Sequence, residues 1–350
     1  MLITEATPIQ PSEEPSLKED GSIAALYKTL LFGLAAFALM TLGVTVFALY
    51  SGWFRAPSFP SVIVPLEWPQ EIVVTGVTRH PASPHGLSPA PDPRLIEIIP
   101  EGVLPIRADD GATPLAVYAR PFAPQAEAAS TTPRVAIIVR GAGIGQLATL
   151  EANLRLPGEV SFALSPYAQD IDRQASEIRE EGHEVFLDVP LISREQIFED
   201  AGPKALMSAA GEAETLARLK WSMARVVGYA GLVAISGSDG MVAPDVRDLL
   251  ARQAETRGLG LITHSPPEPV TLPSSAHHAR INILIHRDLT SKGIDEALER
   301  LTADAQQKGV AMGVAVITPL AIERLKKWSE GLAAQGVRLV PASAVLLQQR

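Results

Sequence analysis

The sequence predicts an α/β fold for residues 134–350, on three observations. Seven short runs rich in Val, Ile and Leu recur there, separated by charged stretches. Most of the runs lack polar–apolar alternation, the pattern of strands buried on both faces of a parallel sheet. Several of the charged stretches end in glycine, the residue that most easily closes a helix. An open doubly wound sheet and a (β/α) barrel both meet this pattern. In either, ligands collect at the C-terminal ends of the strands, so the residues just after each strand carry the most information.

The predicted strands are Val135–Val139, Val160–Ser165, Glu184–Val189, Leu232–Ile235, Leu259–Thr263, Arg280–Ile285 and Val310–Ile317. Helices are predicted over 169–182, 212–228, 244–258, 291–309 and 319–336. Gly182, Gly228 and Gly258 stand where C-caps are expected, and Pro244 where a helix accepts proline in its first turn. Upstream, fifteen of the 29 prolines fall between Ala56 and Pro133. Residues 55–93 therefore read as a Pro-rich linker that cannot build a core. Between 94 and 122 short apolar pieces alternate with Gly and Pro, a small strand-rich lead-in, and a second linker continues to 133.

The N-terminus is of another kind. Residues 1–22 are polar and acidic and read as a disordered tail. From Thr29 to Phe54 there are 26 residues without a charge, and about 20 suffice to cross the hydrocarbon core. Lys28 and Arg55 bracket the run, with Tyr27, Tyr50 and Trp53 at interfacial positions. A single transmembrane helix is expected over 23–54. The run is too long for the core of a signal peptide, and no clear cleavage site follows it. Lys18 and Lys28 on one side against Arg55 on the other favour a cytoplasmic N-terminus and a translocated body.

Composition excludes several classes. A net charge of −9 and a pI of about 5.4 argue against nucleic acid as a partner. With no cysteine there is no disulfide, zinc–thiolate site or thiol nucleophile. After the first strand, Arg140-Gly141-Ala142-Gly143-Ile144-Gly145 spaces its glycines as G-x-G-x-G, which is not the dinucleotide fingerprint. No Walker A loop is present, and Ser238, in G-S-D-G, is not a nucleophile elbow.

Asp188, Asp239, His264 and His286 all follow predicted strands on one rim. Two Asp and two His suit zinc or a similar ion, and such residues also commonly cap strand ends. His183 precedes a strand and belongs to the opposite, structural end. His80 and His85 fall in the linker, and His277 and His278 in a Pro/Ser-rich solvated loop. Asp170 and Asp172 read as helix-start acids, and Trp221 and Trp328 as helix residues packed on the sheet.

Four stretches, in this order, carry a resemblance: "DGATPLAVYARPF", "RVAIIVRGAGIG", "LPGEVSFALSPYAQDIDRQASEIREEGHEVFLDVPL" and "GYAGLVAISGS". From about Asp110 to the C-terminus the chain resembles the divergent polysaccharide deacetylases, a bacterial envelope group. The resemblance implies a seven-stranded (β/α) barrel, preceded here by the transmembrane helix, in the inner membrane with the barrel in the periplasm. It also implies a carbohydrate N- or O-deacetylase, in which a divalent metal polarises the acetamide carbonyl and activates water. Aspartate would supply the base and histidine the ligands.

This chain departs from that pattern at each matched position. The first strand of the family ends in Asp-Asp, here Arg140 and Gly141. A histidine two residues before Gly-Ser is here Ile235. The aspartates of Arg-Asp-x-x-x-Asp are here Ile281 and Ile285, and a histidine of the third strand aligns with Asp188. The implied protein has lost its hydrolase site, needs no cofactor, and binds an envelope glycan or a protein through the barrel mouth. Arg140 is expected to pair with Asp188 or Asp239 in place of the ion. Two alternatives are an active enzyme with a divalent metal on Asp188, Asp239, His264 and His286, and a structural envelope tether.

Overall fold

The computed structural model describes residues 20–50, 84–122, 132–192, 201–236, 242–264 and 277–348, with side chains in the first stretch described for 28–44. Two compact units are present, Met1–Val73 and Val74–Arg350. In the first, helix α1 runs over Asp20–Tyr50, starting within the expected tail. Its described side chains are all exposed. Among the described residues no helix is long and apolar enough to cross a membrane. The expected span, 23–54, extends beyond the 28–44 window at both ends. Tail residues 1–19, linker residues 51–83 with His80, and residues 123–131 lie outside the described residues.

The second unit opens with an antiparallel hairpin, β1 (Ile96–Ile99) and β2 (Gly102–Pro105), and a short helix α2 (Pro114–Tyr118). Alternation of strand and helix follows: β3 (Arg134–Ala142), α3 (Gln146–Arg155), β4 (Ser161–Leu164), α4 (Ile171–Glu180) and β5 (Val185–Asp188). Next come α5 (Glu212–Met223), β6 (Gly231–Ala234), α6 (Pro244–Arg257), β7 (Gly260–Thr263), β8 (His278–Arg280) and β9 (Ile283–Ile285). The chain ends with α7 (Ser291–Lys308), β10 (Val310–Val316), α8 (Pro319–Gly331), β11 (Arg338–Leu339) and α9 (Ala342–Leu346). The parallel sheet has the order β8-β7-β6-β5-β4-β3-β10-β9, with β11 paired to the start of β3.

Eight strands lie on this path where seven were expected, because the predicted strand 280–285 is divided. β8 pairs with β7 at one edge and β9 with β10 at the other. Three Cα steps separate Arg280 from Ile283 and reach about 11 Å at most. The sheet must therefore curl until its edges nearly meet. At this seam Ile281 N–H donates to the Thr263 carbonyl (3.0 Å) and Asn282 N–H to the Met312 carbonyl (2.7 Å). The Asn282 side-chain oxygen accepts from Met312 N–H at 2.9 Å. No ladder joins β8 to β9 among the described residues. The expected seven-stranded barrel is thus a curled half-barrel of eight strands, whose two edges are bridged at Asn282 instead of pairing.

Alternation along the strands separates two cores. Val135, Ile137 and Val139 of β3 and Val185 and Leu187 of β5 pack under the helices. Ala136, Ile138 and Phe186 face the interior of the curl, with Val233, Ile262, Met312 and Val314. That interior is filled at the N-terminal strand ends by Leu95, Leu115, Tyr118, Val345 and Leu346. Leu115 N–H donates to the Gly258 carbonyl (3.1 Å). Glu184, fully buried, accepts from Ser161 Oγ (2.7 Å), Ser343 N–H (2.9 Å) and Arg120 N–H (3.1 Å). The lead-in and C-terminal helix together thus cap one end of the curl.

Two expectations need correction here. Residues 84–93 were expected within the linker, yet Leu87 and Ala90 are buried and Arg179 Nη2 donates to the Ser88 carbonyl. Arg179 itself is buried, and its other terminal nitrogen donates to Gly228 O at 3.1 Å. The proline-rich segment here is packed on the half-barrel and pinned by an arginine. His277 and His278 were expected in a solvated loop. His278 opens β8 with its ring nitrogen 2.8 Å from Thr263 Oγ1, and His277 Nδ1 lies 3.2 Å from Leu346 O. Burial, then the charges of Arg280 and Arg247, push the His278 imidazole down to about 4.

Candidate functional site

Period two along a strand sets the direction of its last side chain. Arg140 follows Ala136 and Ile138 on the interior face of β3, and Asp188 follows Phe186 on that of β5. The two side chains meet at the C-terminal mouth of the curl. Arg140 Nη2 lies 3.0 Å from Asp188 Oδ1 and Nε 3.3 Å from Oδ2, a forked pair. The third guanidinium nitrogen, Nη1, donates to the Ile235 carbonyl at 2.9 Å. The two side chains are only 18% and 10% exposed.

The glycines of "VRGAGIG" serve this arrangement. The register of β3 against β4 shifts between Arg140 and Ala142, so Gly141 is the extra residue of a β-bulge. Its φ is +78°, and its N–H donates to Asp188 Oδ2 at 3.2 Å. Gly143, at φ +90°, has no room for a side chain, since a Cβ would stand 2.4 Å from Ala168 Cβ. Burial pushes the Asp188 carboxyl above its ordinary range, opposed by the Arg140 charge, its hydrogen bonds and the Gly141 N–H.

The described residues at the mouth do not fit a divalent ion. Asp188 already accepts three donors, and an ion beside it would face a fixed guanidinium. Ile235 and Ile281 are packed into the interior core, and Ile285 is fully buried under the helices. Among the described residues no three His, Asp or Glu side chains come together to hold a metal. His264 follows β7, two strands from β5, and His286 follows β9, on the other side of the β8–β9 seam. Both are half-buried. Asp239, with Gly237 and Ser238, lies outside the described residues.

The remaining candidates have structural places. His183 is buried between the Val160 carbonyl (2.7 Å) and the Asn153 carbonyl (3.1 Å), and burial lowers its pKa. Asp170 stands before α4 at φ 47° and Asp172 in its first turn. Trp328 donates to Thr302 Oγ1 (2.9 Å), and Trp221 lies against Tyr167 and Arg225. The sequence reading missed Glu184, although Glu184, Phe186 and Asp188 share one face of β5 by simple alternation. It also missed the backbone partners of the pair, Gly141 N–H and Ile235 C=O, which no side-chain pattern encodes.

A family model described as divergent polysaccharide deacetylase matches residues 137–346. None of the curated proteins matches the chain. Among solved structures, the uncharacterized protein ATU2773 from Agrobacterium tumefaciens C58 is 27% identical, at a TM-score of 0.61, over 70% of this chain and 99% of that one. T48 deacetylase, solved with substrate, is 12% identical at a TM-score of 0.39, over 62% and 92% of the two chains. The Xyl-CE4 domain of a multidomain xylanase from the hindgut metagenome of Trinervitermes trinervoides is 12% identical at 0.37, over 62% and 91%. With the family model covering well over half of its length, this chain belongs to the divergent polysaccharide deacetylase family.

Proposed function

We propose that this protein is a carbohydrate-related envelope protein that has given up hydrolysis and acts by binding a glycan or a protein at the mouth of its half-barrel. The observation that carries this reading is the Arg140–Asp188 fork. It puts a guanidinium where the family pattern puts an aspartate and occupies the neighbouring carboxylate. Isoleucines packed at three further pattern positions support it. The uncharged run from Thr29 to Phe54, exposed over its described side chains, supports a single-pass anchor in the inner membrane. The lysines before it favour a cytoplasmic N-terminus and a periplasmic half-barrel.

The test is metal content and hydrolysis together, on full-length protein extracted from the membrane fraction. The expected result is no stoichiometric divalent ion after zinc or manganese loading, and no acetate release from acetylated chito- or xylo-oligosaccharides. One bound ion per chain, lost on substituting His264 or His286, would overturn the reading. It would favour the relocated site of Asp188, Asp239, His264 and His286.

A further inference from the structure

We propose that the outer face of α3 is an interface between two copies of this chain. The helix is built the wrong way round for a solvated surface. Its inner face buries Thr149, Ala152 and Asn153, two of them polar. Its outer face carries Leu147, Leu150 and Leu154, exposed by 83%, 48% and 62%, with Ile144 just before the helix at 62%. A helix on a globular surface ordinarily shows the reverse pattern.

Spacing and charge point to a second copy. Steps of three and then four residues make an a-d-a seam, the narrow stripe that packs against another helix rather than a broad surface. The seam is nearly symmetric about Leu150. A two-fold axis there lays two antiparallel α3 helices with Leu147 of each against Leu154 of the other, a self-complementary contact. Glu151 and Arg155 beside the seam are ion-paired with each other, so this face carries no net charge although the chain carries −9. Repulsion between copies is therefore not concentrated here. The four apolar side chains expose a few hundred Å², the size at which a patch marks an interaction site. A stable pair needs about 800 Å² per partner. The leucines supply the apolar centre of such a contact and Gln146, Glu151 and Arg155 its polar rim.

The chain has no cysteine, which makes the test clean. Full-length Leu150→Cys is oxidised in the cell fraction that carries it and read on a non-reducing gel. Lys292→Cys, on an exposed position of α7, is the control. A disulfide forms only when Cα atoms approach within about 7 Å, so the expected result is a band of doubled mass for Leu150→Cys and none for Lys292→Cys. Adding Leu147→Glu and Leu154→Glu should return the band to single mass while the chain still melts cooperatively. A Leu150→Cys chain that stays single and takes up maleimide as fast as the control overturns the proposal. A thiol shielded from maleimide without cross-linking overturns it too, in favour of another segment or another protein on this face.

Discussion

Arg140 and Asp188 sit at the rim but are largely withdrawn from water, which places them among buried pairs rather than surface ones. The net worth of a buried pair is small, because desolvating two charges offsets their attraction. Its asymmetry is large. Arg140→Met would leave a carboxylate with Gly141 N–H as its one remaining donor among the described residues, and should cost about 3 kcal/mol, the low end for a broken buried pair. The double variant Arg140→Met/Asp188→Leu should recover most or all of that. Urea denaturation at constant slope gives both numbers. A single variant within about 0.5 kcal/mol of the parent would mean that the pair is a solvated contact, and its role as an electrostatic replacement for an ion would fall with it.

The bulge that ends β3 sets the geometry of that pair, and its two glycines are not equivalent. Gly141 has a positive φ with nothing within 4 Å of a would-be Cβ, so Gly141→Ala should cost only the left-handed penalty, roughly 1–2 kcal/mol. Gly143→Ala adds a 2.4 Å approach to Ala168 on top of its own φ of +90°, and should cost at least about 2 kcal/mol more. Thermal melts of the two variants decide it, and equal losses would mean that the β4–α4 connection yields. Strands were legible in the sequence for a simple reason: an apolar run buried on both faces has few other readings. The break at Ile281-Asn282 was not legible, because the apolar run continues across it and only the paired neighbours reveal the change of edge. Nor was α3, whose outward leucines remove the polar face by which a helix is recognised, nor α2 and α9, each too short to show a period. Of the site, Asp188 followed from its place at a strand end, and its pairing with Arg140 from the aspartate that the family pattern has at that position. His264 and His286 satisfied the same rule, yet among the described residues no metal-holding group of three forms, since the rule fixes the rim of a sheet but not distances around it.

At the scale of the whole fold, the half-barrel depends on residues that precede its first strand. A boundary drawn where similarity to the family model begins, at residue 137, or at the start of β3, removes Leu95, Leu115 and Tyr118 from the interior. Burying each such side chain is worth about 1.5–3 kcal/mol, so the three together contribute roughly 5–9 kcal/mol. A domain of this kind is stable by only about 5–15 kcal/mol in all. The cut also strips the Arg120 N–H from the buried Glu184 and the Ser88 carbonyl from Arg179, leaving two buried charges under-satisfied. A chain of residues 134–350 should therefore show no cooperative thermal transition and should bind a hydrophobic dye, whereas residues 84–350 should melt cooperatively. If residues 134–350 instead melt within a few degrees of 84–350, the C-terminal helix α9 alone closes that end of the curl. The segment before β3 would then be a passive tether, and its buried leucines a consequence of the fold rather than one of its causes.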